Sequence, residues 1–345
     1  MSTPASRLRF RDSQIDMAHG AGGTASRRLV EGLIAPLLLS GGQEPLGDAA
    51  HFAVDGAAVA MTADSFVVRP LRFPGGSIGE LAVNGTVNDL AVSGARAQAL
   101  VTTYVIEAGL PTEELESEVR AMACAAARAG VAIVGGDTKV VEHGKADRLY
   151  ITTAGIGRPI PGVTLSPRSC RPGDRVILSG PIGDHGITIL LARGDLDLEA
   201  ETRSDTRPVL PFVEALAEAA GTGLRWMRDP TRGGVATSLN ELARDSALGI
   251  LVHEDRVPVR DAVRGACELL GLDPLHIANE GQFLAVLAPD CADRGLAALR
   301  AAGLRDAAII GEIRDQPAAT VLGTAAYGGT RVIDMLVGDP LPRIC

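Results

Sequence analysis

At 345 residues and 46% apolar composition, the chain is too long for one ordinary core and too apolar to be disordered; it fits two domains of roughly 150 residues each. A formal net charge of -9 without any Lys/Arg run gives no electrostatic footprint for nucleic acid. No stretch approaches the ~18 consecutive apolar residues of a membrane span, and MSTPASRLRFRDSQ lacks the apolar run of a secretory signal, so a cytoplasmic protein is expected.

Aromatic residues make up only 3% of the chain, so its cores are built from Ala, Val, Leu and Ile. Residues 1–45 form a mixed leading segment with the glycine cluster His19-Gly20-Ala21-Gly22-Gly23. From His51 the text is strand-like: HFAVDG, a tight turn at Asp55-Gly56, then AAVAMTADSFVV. The spacing predicts a helix over 78–93 and then a strand at QALVTTYVIEAG. A second helix over 111–129 puts Leu115, Val119, Met122 and Ala126 on one face, with Pro111 at its start and Gly130 as its stop. VAIVGG and LYITTAGIG read as buried strands. The stretch 158–174 has four prolines and little periodicity, which marks a domain boundary. The expected division is a first domain over 46–160, a second over 161–325 and a flexible tail over 326–345. The second domain opens on the strand DRVILSG. Helices follow near 184–192, 208–220, 233–247, 262–270 and 291–302, with strands near 249–252, 283–287 and 307–311. Helices and strands mix without strict βαβ alternation, so the fold class is α+β rather than a doubly wound sheet.

Five aspartates end strand-like or glycine-flanked segments: Asp55 in AVDGA, Asp64 in MTADSF, Asp89 in TVNDLA, Asp137 in VGGDTK and Asp229 in RDPTRGG. Mg2+ prefers carboxylate and phosphate oxygens, and carboxylates gathered from separate loops are what a metal–polyphosphate site needs. Taken alone, each reads first as a turn residue, since Asp-Gly and Gly-Asp are turn signals. The glycine clusters HGAGG, FPGGSIG, VGGDT, PTRGG and YGGTR can offer backbone N–H groups to phosphates. None matches the Walker pattern, and no G-x-G-x-x-G opens a strand–helix unit, so nucleotide binding calls for another fold. Lys139, after GGDT, and Glu280, in IANEGQFLAV, are charges in unusual settings; a solvated loop charge is the plain alternative for each.

The five cysteines, Cys124, Cys170, Cys267, Cys291 and Cys345, include no C-x-x-C pair, which argues against zinc or a disulfide framework. Cys124 and Cys267 read as buried helix residues. Cys345 ends MLVGDPLPRIC, whose prolines at 340 and 342 stiffen an extended segment. From Leu336 to Cys345 that segment reaches up to ~30 Å. It suits a swinging arm with a thiol, the most nucleophilic ordinary side chain once deprotonated, at its tip. The adjacent terminal carboxylate disfavours the thiolate, so activation calls for a cation, either Arg343 or a partner's residue. A frayed, inert terminus is the alternative.

Together, HGAGG, VDGAAVAMTADSFVVRPLRFPGGSIGELAVNGTVNDLAVSGA, VGGDTKVV, TAGIG, GDHGI, DPTRGGVATSLNELA, ANEGQF and LPRIC resemble the HypE family of hydrogenase-maturation carbamoyl dehydratases, over nearly the whole chain. The resemblance implies the two-domain α+β, PurM-like fold of the aminoimidazole-ribonucleotide synthetase superfamily. N-terminal domains pair into a homodimer, and ATP lies between domains. It implies that Asp55, Asp64, Asp89 and Asp229 hold Mg2+ and that His19, Gly22 and Gly23 belong to a glycine-rich cover over ATP. Asn88, Gly135, Gly136, Asp137 and Thr138 would lie near the nucleotide, with Lys139 and Glu280 near the tip of the inserted tail. The implied chemistry starts with a carbamoyltransferase, HypF, loading the Cys345 thiol. ATP phosphorylates the carbamoyl oxygen, and loss of phosphate leaves S–C≡N, whose cyanide passes to a HypC–HypD scaffold. Phosphorylation splits one difficult elimination into two easier steps and requires a base for the amide protons. Glu280 is the first candidate base, with Lys139 on an oxyanion or phosphate. The alternative on the same scaffold is a selenophosphate synthetase or thiamine-phosphate kinase. The lack of cysteine before Cys124 weighs against the first, and LPRIC against the second. Five site-like aspartates weigh against a non-enzymatic carrier.

Overall fold

The computed structural model describes residues 9–20, 22–39, 46–196, 198, 200–325, 328–338, 341 and 343–345; Ala21 of the glycine cluster and the tail prolines Pro340 and Pro342 lie outside the described residues. Among the described residues, the leading segment is helical from Gly23 to Leu38, beyond the capped turn Met17–His19. Helix α1 (Gly23–Leu29) runs through a wider π turn (Val30–Ile34) into α2 (Ala35–Leu38). Periodicity does not mark this helix, because Leu33, Ile34, Leu37 and Leu38 are exposed rather than gathered on a buried face.

The first domain is built on strands β1 (Ala50–Val54), β2 (Ala57–Phe66), a small hairpin β3 (Arg72–Phe73) and β4 (Gly76–Ser77), helix α3 (Ile78–Val92), β5 (Ala95–Glu107), α4 (Thr112–Ala129), β6 (Ala132–Val141) and β7 (Leu149–Pro159). The main sheet has the order β1-β2-β7-β5-β6, antiparallel except for the β5–β6 pair. Helix α3 buries 13 of its 15 residues, so it has no polar face and must lie between layers. Helix α4 is amphipathic, but its buried set is Glu118, Met122, Ala125 and Ala126, and Val119 is exposed. The buried Glu118 is satisfied locally: its Oε2 accepts from Gly79 N at 3.0 Å, at the start of α3, and Arg72 pairs with it at 2.8 Å. Cys124, expected inside, is exposed on the same helix. The expectation of a buried strand at VAIVGG also fails. β6 is an edge strand and nearly all of it is exposed.

The second domain contains β8 (Arg175–Leu178), α5 (Asp184–Ala192), α6 (Leu210–Ala220), β9 (Leu224–Arg228), α7 (Gly234–Ser246), β10 (Gly249–His253), α8 (Asp261–Leu270), β11 (Leu284–Leu287), α9 (Pro289–Ala301), β12 (Ala308–Arg314), β13 (Val321–Thr324) and β14 (Thr330–Val332). Its seven strands are ordered β14-β13-β10-β12-β8-β11-β9. One face packs on α7 through Leu239 and Leu242, the other on α6 and α9 through Leu216 and Leu299. The short strands β9, β13 and β14 are not marked by alternation in the sequence.

The tail is not an arm with few contacts. Leu336 O and Val337 O accept from Thr24 N (2.9 Å) and Ala25 N (3.1 Å) at the start of α1. Leu341 and Ile344 are buried in the core that includes Ile187, Val263 and Ile277. The last carbonyls are met one by one: Arg343 O by Arg193 (2.7 Å), Ile344 O by His185 Nε2 (2.7 Å) and Cys345 O by Val67 N (3.0 Å). Two buried apolar side chains and satisfied backbone groups outweigh the flexibility usual at a terminus.

Candidate active site

The tail ends in a cavity of about 610 Å³ between the two domains, which Cys345 lines together with Asp48, Asp64, Asp89, Asp229, Arg232 and Glu280. They arrive from several separate elements. Asp64 stands on β2 and Asp89 on α3; Asp229 and Arg232 lie between β9 and α7; Glu280 precedes β11. Gly22 and Gly23 form the rim. A Cβ at Gly22 would meet Arg232 Cβ at 2.8 Å, and one at Gly23 would meet Leu336 O at 2.4 Å, so only glycines allow this loop to close against both arginine and tail.

The ligand oxygens of Asp48, Asp89 and Asp229 lie within 4.8 Å of one another. Thr62 Oγ1 donates to Asp89 Oδ2 at 2.8 Å. Arg228 holds Asp48 at 2.8 Å and reaches Glu241 at 3.1 Å. Burial, and then the charges of Asp229, Asp64 and Asp48, raise the Asp89 carboxyl well above the ordinary range; burial and Asp48 do the same to Asp229. Burial pushes Asp48 up to about 6 despite Arg228. Carboxylates that resist ionising together are the electrostatic complement of a hard divalent cation.

Glu280 is buried, and burial, then Asp229, Asp205 and Asp64, raise its carboxyl well above the usual range. Arg232 is the cation nearest in role to that sought for the thiol. Burial opposes its charge, but Cys345, Asp64, Asp89 and Asp229 outweigh that effect. Arg343, the cation proposed from sequence, turns instead to Asp147 at 2.6 Å. His185 fixes the tail with a defined tautomer: Ile344 O can only accept, so Nε2 carries the proton and Nδ1 accepts from Ser204 Oγ at 2.8 Å. Burial keeps this imidazole neutral by lowering its pKa.

The AIR synthase related protein family matches the chain twice, its N-terminal domain at residues 46–158 and its C-terminal domain at 171–323. Carbamoyl dehydratase HypE of Azotobacter vinelandii is 48% identical over 341 residues, covering 99% of this chain and 100% of the relative. This chain belongs to the carbamoyl dehydratase HypE family. The Escherichia coli K12 member is 41% identical, over 96% of this chain and 100% of its own. A crystal structure of a HypE–HypF complex superposes with a TM-score of 0.84 at 42% identity, covering 89% of this chain and 99% of that one. A HypE in complex with ATP gives 0.80 at 42%, covering 95% and 99%. Thiamine monophosphate kinase from Aquifex aeolicus shares the fold at 18% identity, with a TM-score of 0.61 over 82% of this chain and 92% of that one.

Several family-implied residues are placed elsewhere in this chain. Asp55 stands in the β1–β2 turn, exposed, with φ +50°, and does not line the cavity; turn geometry accounts for it. His19 is buried but bonds Asp12 through Nε2 (2.9 Å) and Asp16 through Nδ1, so it braces the loop rather than facing the cavity. Asn88 joins the domains: Nδ2 donates to Arg207 O (2.9 Å) and Glu280 O (3.1 Å), and Oδ1 accepts from Val209 N (2.8 Å). Gly135, Gly136, Asp137, Thr138 and Lys139 lie on the exposed edge strand β6, where Lys139 pairs with Asp137 at 2.7 Å, and none lines this chain's own cavity. Sequence reasoning missed Asp48, Arg232 and His185. Arg232 and His185 sit inside the quoted motifs DPTRGG and GDHGI, whereas Asp48 follows a glycine with nothing local to distinguish it from a turn.

Proposed function

We propose that this chain uses ATP to dehydrate a carbamoyl group carried on its own Cys345, leaving a thiocyanate. The observation that carries the reading is a terminal thiol seated in one cavity with a tight aspartate trio and a buried glutamate. The named activity of the relatives supports it, as does the ATP complex of a related HypE. In the first step the carbamoyl oxygen takes the γ-phosphoryl group and the nitrogen gives up one N–H proton to solvent, leaving an O-phosphorylated imidate and ADP. In the second, Glu280 takes the remaining N–H proton, the C–O bond breaks, phosphate leaves with the electron pair, and C≡N forms on sulfur. Arg232, which lines the cavity with Cys345, offsets the negative charge that develops there. Asp48, Asp89 and Asp229 would hold Mg2+, with Asp64 beside them. Bound there, the cation would neutralise phosphate charge and offset the charges of Asp229 and Asp64, which add to burial in raising the Glu280 carboxyl. Packing of Leu341 and Ile344 holds the tail in place and keeps water from the intermediate.

The loading partner is a HypF carbamoyltransferase, the protein found with a related HypE in a complex, and the cyanide is destined for a HypC–HypD scaffold. The first domain pairs as a homodimer through its open sheet face, where Phe52, Val54, Met61, Val101, Val134 and Ile156 are exposed. Any part that 135–139 take in holding nucleotide therefore passes through pairing, since they are remote from their own cavity. Intact-protein mass spectrometry tests the reaction. Carbamoylated chain given Mg·ATP loses one water per thiol and releases one phosphate. Phosphate release without that mass loss, or mass loss without ATP, refutes it.

A further inference from the structure

Asp205 lies behind the Glu280 loop, lining a separate polar cavity of about 470 Å³ rather than the one that holds Cys345. Its carboxylate takes two successive amides: Oδ1 accepts from Glu280 N at 3.0 Å, and Oδ2 from Gly281 N at 3.1 Å. From the opposite side Asn88 Nδ2 donates to Glu280 O at 3.1 Å. The peptides flanking Glu280 are therefore both held by side chains, which aims its Cα–Cβ bond. Residue 281 must be glycine for this contact, because a Cβ there would lie 1.9 Å from Asp205 O. Arg207 completes the hold, with Nε donating to Gly281 O at 3.0 Å. One residue before Asp205, Ser204 Oγ bonds His185, the imidazole that donates to Ile344 O. A single short segment, 204–207, thus registers the Glu280 loop and the thiol-bearing tail against each other.

We propose that Asp205 is a positioning residue for the dehydration step, aiming Glu280 at the carbamoyl nitrogen by holding both flanking amides. This rests on the reading of Glu280 as the base. Because Asp205 does not line the reaction cavity and both of its carboxylate oxygens bond the Glu280 loop, whereas the tail is held by Ser204 through His185, its effect passes through Glu280 and vanishes when Glu280 can no longer act.

The test is a double-mutant cycle on S-cyano formation. Wild type, Asp205→Asn, Asp205→Ala, Glu280→Gln and Asp205→Ala/Glu280→Gln are pre-carbamoylated, given saturating Mg·ATP, and followed by intact mass. Asn keeps one acceptor oxygen but turns an NH2 group toward the second amide, so Asp205→Asn slows the step roughly tenfold; Asp205→Ala slows it roughly a hundredfold, with the KM for ATP unchanged. In the Glu280→Gln background Asp205→Ala adds no further slowing. Additive losses overturn the proposal, as does wild-type speed for Asp205→Ala or a rise in ATP KM matching the rate loss. Wild-type speed for Glu280→Gln sinks the base reading itself, a result separate from additivity on a slow Glu280→Gln background. If Asp205→Ala does not fold, Asp205→Asn carries the same cycle.

Discussion

Replacing Asp89 by Asn separates a metal site from a structural aspartate. Asn preserves the shape and can still accept from Thr62 Oγ1, which donates to Asp89 at 2.8 Å. What it removes is one buried charge facing Asp229, Asp64 and Asp48. Asp48 sets the scale: burial, opposed by Arg228 and reinforced by Glu241 and Asp64, raises it from 3.8 to about 6, roughly 3 kcal/mol against its ionised form. Relieving one member of the group should stabilise the metal-free protein at pH 7.5 by about 1–2 kcal/mol, or about 2 °C in Tm for a chain this long. With Mg·ATP the order reverses, and the variant binds roughly 10- to 100-fold more weakly. The sign of the pH dependence follows. The folded protein holds the Asp48 proton more tightly than the unfolded chain, so its contribution is fully present below about pH 3.8 and is lost as pH rises through about 6. Asp89 and Asp229 shift the same way. The Tm gain from Mg2+ should therefore be larger at pH 7.5 than at pH 5, as the cation replaces protons. Calorimetric melts with and without Mg2+ at both pH values, with titration of Mg·ATP, measure all of this. A metal-free Asp89→Asn protein less stable than wild type, or one with wild-type Mg·ATP affinity, would refute the reasoning.

Cys345→Ala should fold and bind ATP yet accept no carbamoyl group, because the lost sulfur is the reacting atom; a carbamoylated Cys345→Ala chain in the mass spectrum contradicts this. Glu280→Gln should load carbamoyl normally and accumulate it, with S-cyano product falling by roughly 100-fold or more; failure to load would place Glu280 in the other half of the cycle. Ile344→Ser should release the tail more than Arg343→Ala does, since a buried side chain contributes about 1.5–3 kcal/mol and the Arg343–Asp147 pair about 0–1 kcal/mol. Carboxypeptidase release of Cys345 ranks the two variants, and the reverse order would show that charge holds the tail. Val134→Lys, placed on the open sheet face, should shift the sedimentation coefficient toward the monomer; an unchanged value would move the pairing surface elsewhere.

Much of the helical content is legible because it is local. The apolar spacing and glycine stop of 111–129 yield Thr112–Ala129, and the interval 184–192 is Asp184–Ala192. Strands β13 and β14 are not legible, because each is three or four residues long and joins its sheet only through distant partners. β6 misleads in the other direction. Its valines look like core, but their burial depends on whether another layer covers that face.

The same division runs through the site. The sequence by itself determined the family, through long motifs, and the chemical repertoire: a terminal thiol, aspartates able to share a cation, and a glutamate beside a glycine. Only the tertiary structure decided which of these meet. Asp64, Asp89 and Asp229 line one cavity, while Asp55 remains in its hairpin turn and Lys139 at a sheet edge. Asp48 joins the trio because Arg228, 180 positions later in the chain, holds it there. Arg232, from the β9–α7 loop, lines the cavity together with Cys345, while the side chain of Arg343, on the tail itself, pairs with Asp147. Residue type and spacing set what a side chain can do and which local element it joins. Where its carboxylate points is set by the packing of elements that the chain brings together from far apart, and no local pattern carries that information.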